Sequence, residues 1–206
     1  MHSKTEFSSG ALYDIGSGES PYKEFFLIHA DSYIAVDWAD SFYVTNTDIE
    51  ADQNKRLPID LEVAESVVSL SALENLCEPQ VMLNEAFCTL IEGGSLIRRA
   101  PRQWSIYKGS HDYLCYAPYG LEYVCKRPGF VDTEIEPQPG YFTMIVLKWN
   151  YVTRCSMAGP RPAFILLTSL LSIFWHLDQL LAPWFDNLVR NWGLEAPGYF
   201  VTTRKP

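Results

Sequence analysis

Ala11 to Gly18 constrains this chain more than any other stretch. Ala11 to Ile15 is short and apolar enough for a buried strand, and Gly16 and Gly18 follow at once. Glycines here give a turn that takes positive φ and lets a ligand approach the backbone with no Cβ in the way. A strand, a Gly-x-Gly turn and a following helix make a nucleotide-binding corner with helix N–H groups at its mouth. A dinucleotide fingerprint needs a third glycine at position 21, where Pro21 stands, so a nicotinamide ligand is disfavoured. Asp14 adds an acidic group two residues before the first glycine.

The spacing after the turn predicts a repeating α/β pattern. Pro21 to His29 predicts the first helix, with Pro21 in its opening turn, where a missing N–H costs nothing. Ser32 to Val36 returns to β character and ends at Asp37. One helix and one strand after Gly18, Asp37 falls at the tip of the neighbouring parallel strand. A carboxylate there accepts two hydrogen bonds from a ribose diol. Trp38 covers one face of an adenine ring or packs in the core. Glu65 to Leu70 is β-branched and continuous, as expected of a central strand buried on both faces. Pro79 to Ile91 has helical spacing with Gly93-Gly94 as its stop, and Ser95 to Arg98 is the next strand. Pro118 opens a helix to Lys126, Val131 to Ile135 is a strand, and Tyr199 to Thr203 is the last.

Composition narrows the function classes. The chain has 206 residues, 48% hydrophobic and 20% charged, which fits a single globular domain over 1–206. A net charge of -9 argues against nucleic acid and leaves small-molecule or protein substrates. Five scattered cysteines without CxxC pairs predict reduced thiols and no metal site, and a Cys115–Cys125 disulfide is disfavoured. Met1 to Gly10 lacks the apolar core of a signal peptide, so a cytoplasmic location is expected. The segment at about 140–190 is apolar and aromatic. Its uncharged core, Ala163 to Trp175, falls short of the roughly 18–20 residues needed to span a bilayer. It reads as a helix covering the sheet or a homodimer interface, with a membrane-surface or lipid-linked-substrate role as the alternative.

Several stretches match one family. Asp14-Ile15-Gly16-Ser17-Gly18 resembles motif I of class I S-adenosylmethionine (SAM)-dependent methyltransferases, an apolar strand ending in D-x-G-x-G. Asn84 to Ile97 is similar to the family's E-x-x-R-x-L-x-x-G-G-x-L segment. Thr47 to Asp52 with Leu57-Pro58-Ile59 resembles its third strand and "AD…LP" stretch. Ser71 to Leu76 resembles S-x-L-E-H, with Asn75 in the histidine's place. His111 to Leu121 is similar to the HD-Y-x-R-Y-T-x-x-G-L segment of a subgroup that includes enzymes of sugar and cell-envelope biosynthesis. Cys115 and Ala117 replace its arginine and threonine.

The resemblance implies an α/β, Rossmann-like seven-stranded sheet of order 3-2-1-4-5-7-6. Its last strand is antiparallel, and helices cover both faces. It implies SAM as cofactor, held by Asp14, Gly16, Ser17, Gly18, Asp37, Trp38, Asp52 and Ser71, with Asp52 near the adenine amino group. The implied activity is methyl transfer to a small-molecule acceptor, such as a hydroxyl of a sugar or of a cell-envelope or secondary-metabolite intermediate. His111, beyond the fifth strand, is the candidate general base and Glu74, beyond the fourth, its competitor. Tyr107, Tyr113, Tyr116 and Tyr119 are the candidate walls of the acceptor pocket. Relatives carry a helix before the first strand, so only ten residues ahead of Ala11 imply an open site or one completed by a partner. The departures at Asn75, Cys115 and Ala117 keep two alternatives in view: a methyltransferase-fold binding or scaffold protein without turnover, and a different nucleotide-binding enzyme.

Overall fold

A computed structural model of the chain describes residues 10–38, 47–70, 72–102, 111–138, 140–156, 161–188 and 196–206, without side chains at 154–156 and 161–170. By its internal contacts the chain divides into two compact units, Met1–Glu136 with Gly198–Pro206, and Pro137–Pro197.

The first unit is built on a sheet of order β3-β2-β1-β4-β5-β7-β6, the order expected. Its strands are β1 (Ala11–Ile15), β2 (Ser32–Asp37), β3 (Ile49–Glu50), β4 (Ala64–Leu70), β5 (Leu90–Pro101), β6 (Val131–Pro137) and β7 (Gly198–Arg204). Parallel pairing joins β1 to β2 and β4, β2 to β3, and β4 to β5, whereas β7 runs antiparallel to β5. Helices α1 (Lys23–Phe26), α2 (Pro79–Thr89) and α3 (Pro118–Lys126) complete the unit.

Alternation along the strands places a core on each face. Leu12, Tyr33, Ala35 and Val68 form one cluster with Phe26 of α1, and Ile97 packs against it. The next residue, Arg98, turns to the opposite face and interacts electrostatically with Cys125 of α3. Helices therefore cover both faces. Full burial of each leucine or valine here contributes about 1.5–3 kcal/mol.

Three places differ from expectation. The first helix is four residues rather than nine, because its last turn tightens to three-residue spacing: Ile28 N donates to Phe25 O and His29 N to Phe26 O. So short a helix supplies little dipole to the corner it follows. Gly93-Gly94 does not stop α2. The chain is already extended at Leu90, and both glycines lie inside β5. There the register slips from Ala64 opposite Leu90 to Ser66 opposite Ser95, and Gly93, at φ 77°, absorbs the extra residues. The third strand is likewise shorter than Thr47 to Asp52.

The second unit contains α4 (Tyr141–Ser156) and α5 (Arg161–Leu188), which pack as an antiparallel hairpin. Asp186 accepts from the backbone N–H groups of Phe142 (2.8 Å) and Thr143 (3.2 Å), closing the start of α4. Eight residues away on each helix, Asn150 Nδ2 donates to Asp178 at 3.3 Å. No helix is long and apolar enough to cross a membrane among the described residues.

Candidate functional site

The glycine turn is held from β2. Gly16 N and Ser17 N both donate to Val36 O, at 2.8 and 3.3 Å, and Gly18 N donates to Asp37 Oδ2 at 2.7 Å. Gly16 sits at φ 81°, and a Cβ on it would lie 2.3 Å from the Cβ of Ala72. The missing side chain at Gly16 therefore makes room for the segment after β4. At Gly18 a Cβ would meet nothing within 4 Å among the described residues, so of the two glycines this is the one that faces open space.

Asp37 is busier than a free ribose clamp. Besides Gly18 N it accepts from Trp38 N at 2.7 Å and from Gln53 Nε2 at 3.2 Å. Three of about four lone-pair positions are thus used, leaving one for a ligand hydroxyl. Gln53, buried and aimed at Asp37, is a site residue the sequence did not single out.

Asp14 is buried, and its Oδ2 accepts from the Tyr33 hydroxyl at 2.5 Å. Among the described residues its Oδ1 has no hydrogen-bond partner, nor does the buried hydroxyl of Ser17. Burial raises the Asp14 carboxyl, the Tyr33 hydrogen bond lowers it and the charge of Asp37 raises it again, for a pKa of about 6. Burial beside that carboxyl pushes the Tyr33 hydroxyl well above its ordinary range.

Asp52 is engaged locally. Its Oδ1 accepts from Asn54 N (3.0 Å) and Asn54 Nδ2 (3.1 Å), and its Oδ2 pairs with Lys55 at 3.1 Å. Partial burial raises its pKa, but the Asn54 and Lys55 interactions outweigh this and hold it below the usual range. Asp52 closes a turn through these bonds, and by the same count as at Asp37 one lone pair, on Oδ2, stays unused. Ser71 and Tyr107 lie outside the described residues.

The two candidate bases belong to one neighbourhood. Glu74 is buried in a single 3-10 turn, Leu73–Asn75, and its carbonyl accepts from Tyr113 N at 2.9 Å and Leu114 N at 3.2 Å. These bonds dock the His111 segment onto the turn after β4. The His111 ring stands edge-on to Trp38 at 6.1 Å and to Tyr113 at 6.2 Å, with Tyr113 Oη 3.5 Å from His111 Nδ1. The tyrosines do not act together as expected. Tyr113 joins His111, Tyr119 points to solvent at 85% exposure, and Tyr116 is buried.

Tyr116 packs instead beside Arg98, whose guanidinium lies 5.9 Å from the ring centroid. Arg98 is fully buried, and among the described residues none of its three side-chain nitrogens has a hydrogen-bond partner. Burial lowers its pKa, against the opposing pull of Cys125, Tyr116 and Glu74. Burial also pushes the Tyr116 hydroxyl to about 12. Cys115 is exposed and Cys125 buried, both as free thiols. Among the described residues, no group of three or more His, Cys, Asp or Glu is placed to hold a metal ion.

Comparison with known proteins bears on the fold. Neither a family model nor a curated protein matches the sequence. Solved structures do. Haemonchus contortus phosphoethanolamine N-methyltransferase 2, in complex with S-adenosyl-L-methionine, matches over 97% of this chain at 15% identity and a TM-score of 0.58. This chain spans about half of that protein, 49% of its length. A SAM-dependent methyltransferase from Archaeoglobus fulgidus matches over 97% of this chain and 88% of its own, at 14% identity and a TM-score of 0.57. The [4+2]-cyclase SpnF matches over 97% of this chain and 76% of its own, at 14% identity and 0.55. With that strand order and these neighbours, the chain has the fold of the class I S-adenosylmethionine-dependent methyltransferases.

Proposed function

We propose that this protein is a SAM-dependent methyltransferase acting on a small-molecule acceptor, with a hydroxyl of a sugar or of a cell-envelope or secondary-metabolite intermediate as the methylated group. The observation that carries this reading is the corner itself. An open Gly18 faces outward, Asp37 has one lone pair to spare, and two buried polar atoms, Asp14 Oδ1 and Ser17 Oγ, lack partners at the turn. A buried carboxylate oxygen without a donor costs about 1–3 kcal/mol or more, which a ligand ammonium would recover. The cofactor residues fit SAM in that sense: Asp14 and Ser17 toward the amino-acid end, Gly18 along the backbone, Asp37 toward a ribose hydroxyl, and Trp38 over the base.

SAM would bring a methyl group already activated on a sulfonium, so the protein's part is mostly positioning, worth roughly 7–11 kcal/mol. Trp38 and Tyr113 frame His111 where the acceptor would enter. The imidazole would take the hydroxyl proton as the oxygen gains the methyl group, a contribution of about 10²–10⁴ in rate. A second reading, a protein of this fold that binds without methyl transfer, is supported by the burial of Glu74 next to Arg98 and by the match to a cyclase.

The test is calorimetry with SAM and S-adenosylhomocysteine, expected to show micromolar-range binding to the unmutated chain. Asp37→Ala removes the ligand's acceptor and the prop of Gly18 N, and should weaken affinity at least about tenfold, or about 1.4 kcal/mol. No binding of either compound would overturn both readings of the corner. Binding without turnover on any acceptor panel would leave the second.

A further inference from the structure

We infer that the α4–α5 hairpin docks on an uncharged phospholipid surface, lying in the plane of the membrane interface. Such docking goes beyond the proposed methyl transfer and does not depend on it. Along α5, Ile173, Leu177, Leu180, Trp184 and Leu188 are all exposed and recur at helical spacing. Phe174, Leu181 and Phe185, also exposed, continue the same side. At about 100° per residue these positions fall within an arc of about 140°, wider than the roughly 100° an ordinary packed helix needs. So large an apolar surface left in water marks an interaction site.

The charges say what covers it. Among the described side chains of the two helices, the formally charged ones are Lys148, Asp178 and Asp186. Asp186 is spent on the start of α4, where Thr143 Oγ1 also donates to it, and Asp178 accepts from Asn150. Asp186 therefore lies on the side opposite the arc, while Asp178, about 20° beyond Phe185 at its edge, is paired with Asn150 of α4. Within the arc the indole N–H of Trp184 is the sole hydrogen-bonding side-chain group. A protein partner ordinarily supplies and demands about one hydrogen bond per 100–200 Å², and this surface has almost none to offer. A lipid interface demands none, and it favours tryptophan and phenylalanine at the boundary. The chain's net charge of -9, with Lys148 as the one cation among the described side chains of the hairpin, argues against attraction to anionic lipid as the driving force.

Flotation of the full chain with phosphatidylcholine vesicles tests this. The expected result is binding that persists at high salt and does not increase when phosphatidylserine is added. Leu180 and Trp184 are 75% and 58% exposed, so Leu180→Asp with Trp184→Asp leaves no cavity. This double variant should lose at least about tenfold in partitioning while keeping its circular dichroism and its SAM affinity. Ile173→Asn with Leu177→Asn, on the same arc, should reproduce the loss. Absence of flotation with neutral vesicles, flotation only with anionic ones, or unchanged flotation of both variants would overturn the inference. So would a dimer of the unmutated chain that these substitutions split without affecting flotation, which would assign the arc to a second copy.

Discussion

Replacing Gly16 with alanine separates the turn's role in folding from its role in binding. Two costs are built into the position. An L-residue at φ 81° carries the left-handed backbone penalty, about 1–2 kcal/mol. The added methyl would also lie 2.3 Å from Ala72 Cβ, against an ordinary carbon–carbon contact of about 3.5–4.0 Å. Relieving that overlap in a packed core costs about 1–3 kcal/mol. Gly16→Ala should therefore lose about 2–5 kcal/mol, and Tm should fall by about 4–20 °C at about 2–4 °C per kcal/mol. Ala72→Gly in the same chain removes the overlap and leaves the backbone penalty, so the double-mutant cycle should return about 1–3 kcal/mol of favourable coupling. Gly18→Ala is the control. Its φ is 57° with open space around it, so it should lose only about 1–2 kcal/mol, with no coupling to Ala72→Gly. Urea and thermal denaturation measure all six chains, the Gly18→Ala/Ala72→Gly double variant included. If Gly16→Ala is as stable as the parent, or Ala72→Gly restores nothing, the packing argument is wrong. In that case the space beside Gly16 belongs to the ligand, as the sequence first suggested.

The other predictions concern protons. Asp14 has a folded pKa of about 6 against an ordinary 3.8, so its contribution to stability is complete below 3.8 and is lost as pH rises through 6. Asp14→Asn, which cannot ionise, should gain on the parent by up to about 3 kcal/mol between pH 4 and pH 8; stability curves that stay parallel over that range would refute it. For an identified acceptor, His111→Ala should cost about 10²–10⁴ in turnover and leave SAM affinity unchanged. The reverse pattern, with Glu74→Gln inactive and His111→Ala active, would make Glu74 the base.

The sheet was legible in the sequence because its strands are short apolar runs closed by turn residues, which is a local signal. β1 at Ala11–Ile15 and α3 at Pro118–Lys126 fall where the pattern placed them. Gly93-Gly94 was misread because two glycines serve equally as a helix stop or as slack in a strand. Only the pairing of Ala64 and Ser66 with β5 decides between them. The length of α1 was overstated for a related reason: apolar spacing continues past the last residue whose backbone bonds are made. The third strand, taken from the family resemblance and not from spacing, is shorter for no such reason. At the corner, residue types and positions were readable but partners were not. Asp37 could be placed at a strand tip, yet its bonds to Gly18 N and Gln53 depend on segments far away in sequence. Arg98 is the clearest miss. As the end of a short strand it reads as exposed, whereas in a β5 that continues to Pro101 it shares an inward face with Leu96 and Ala100.

The contrast between the two corner carboxylates carries the functional argument furthest. Asp37 accepts from three donors, so its two oxygens are largely satisfied by the protein. Asp14 has one donor, is shut away from water, and feels the charge of Asp37 as a further penalty. Two carboxylates that feel each other's charge, one satisfied and one starved, make a field that favours a cation at this corner. Simple structural needs would be met more cheaply by an apolar residue at position 14, since neither Tyr33 nor the strand requires a charge there. The cost of Asp14 is therefore difficult to explain from the fold alone. A ligand with a positive group on the Asp14 side and a hydroxyl on the Asp37 side would offset it, and SAM carries both.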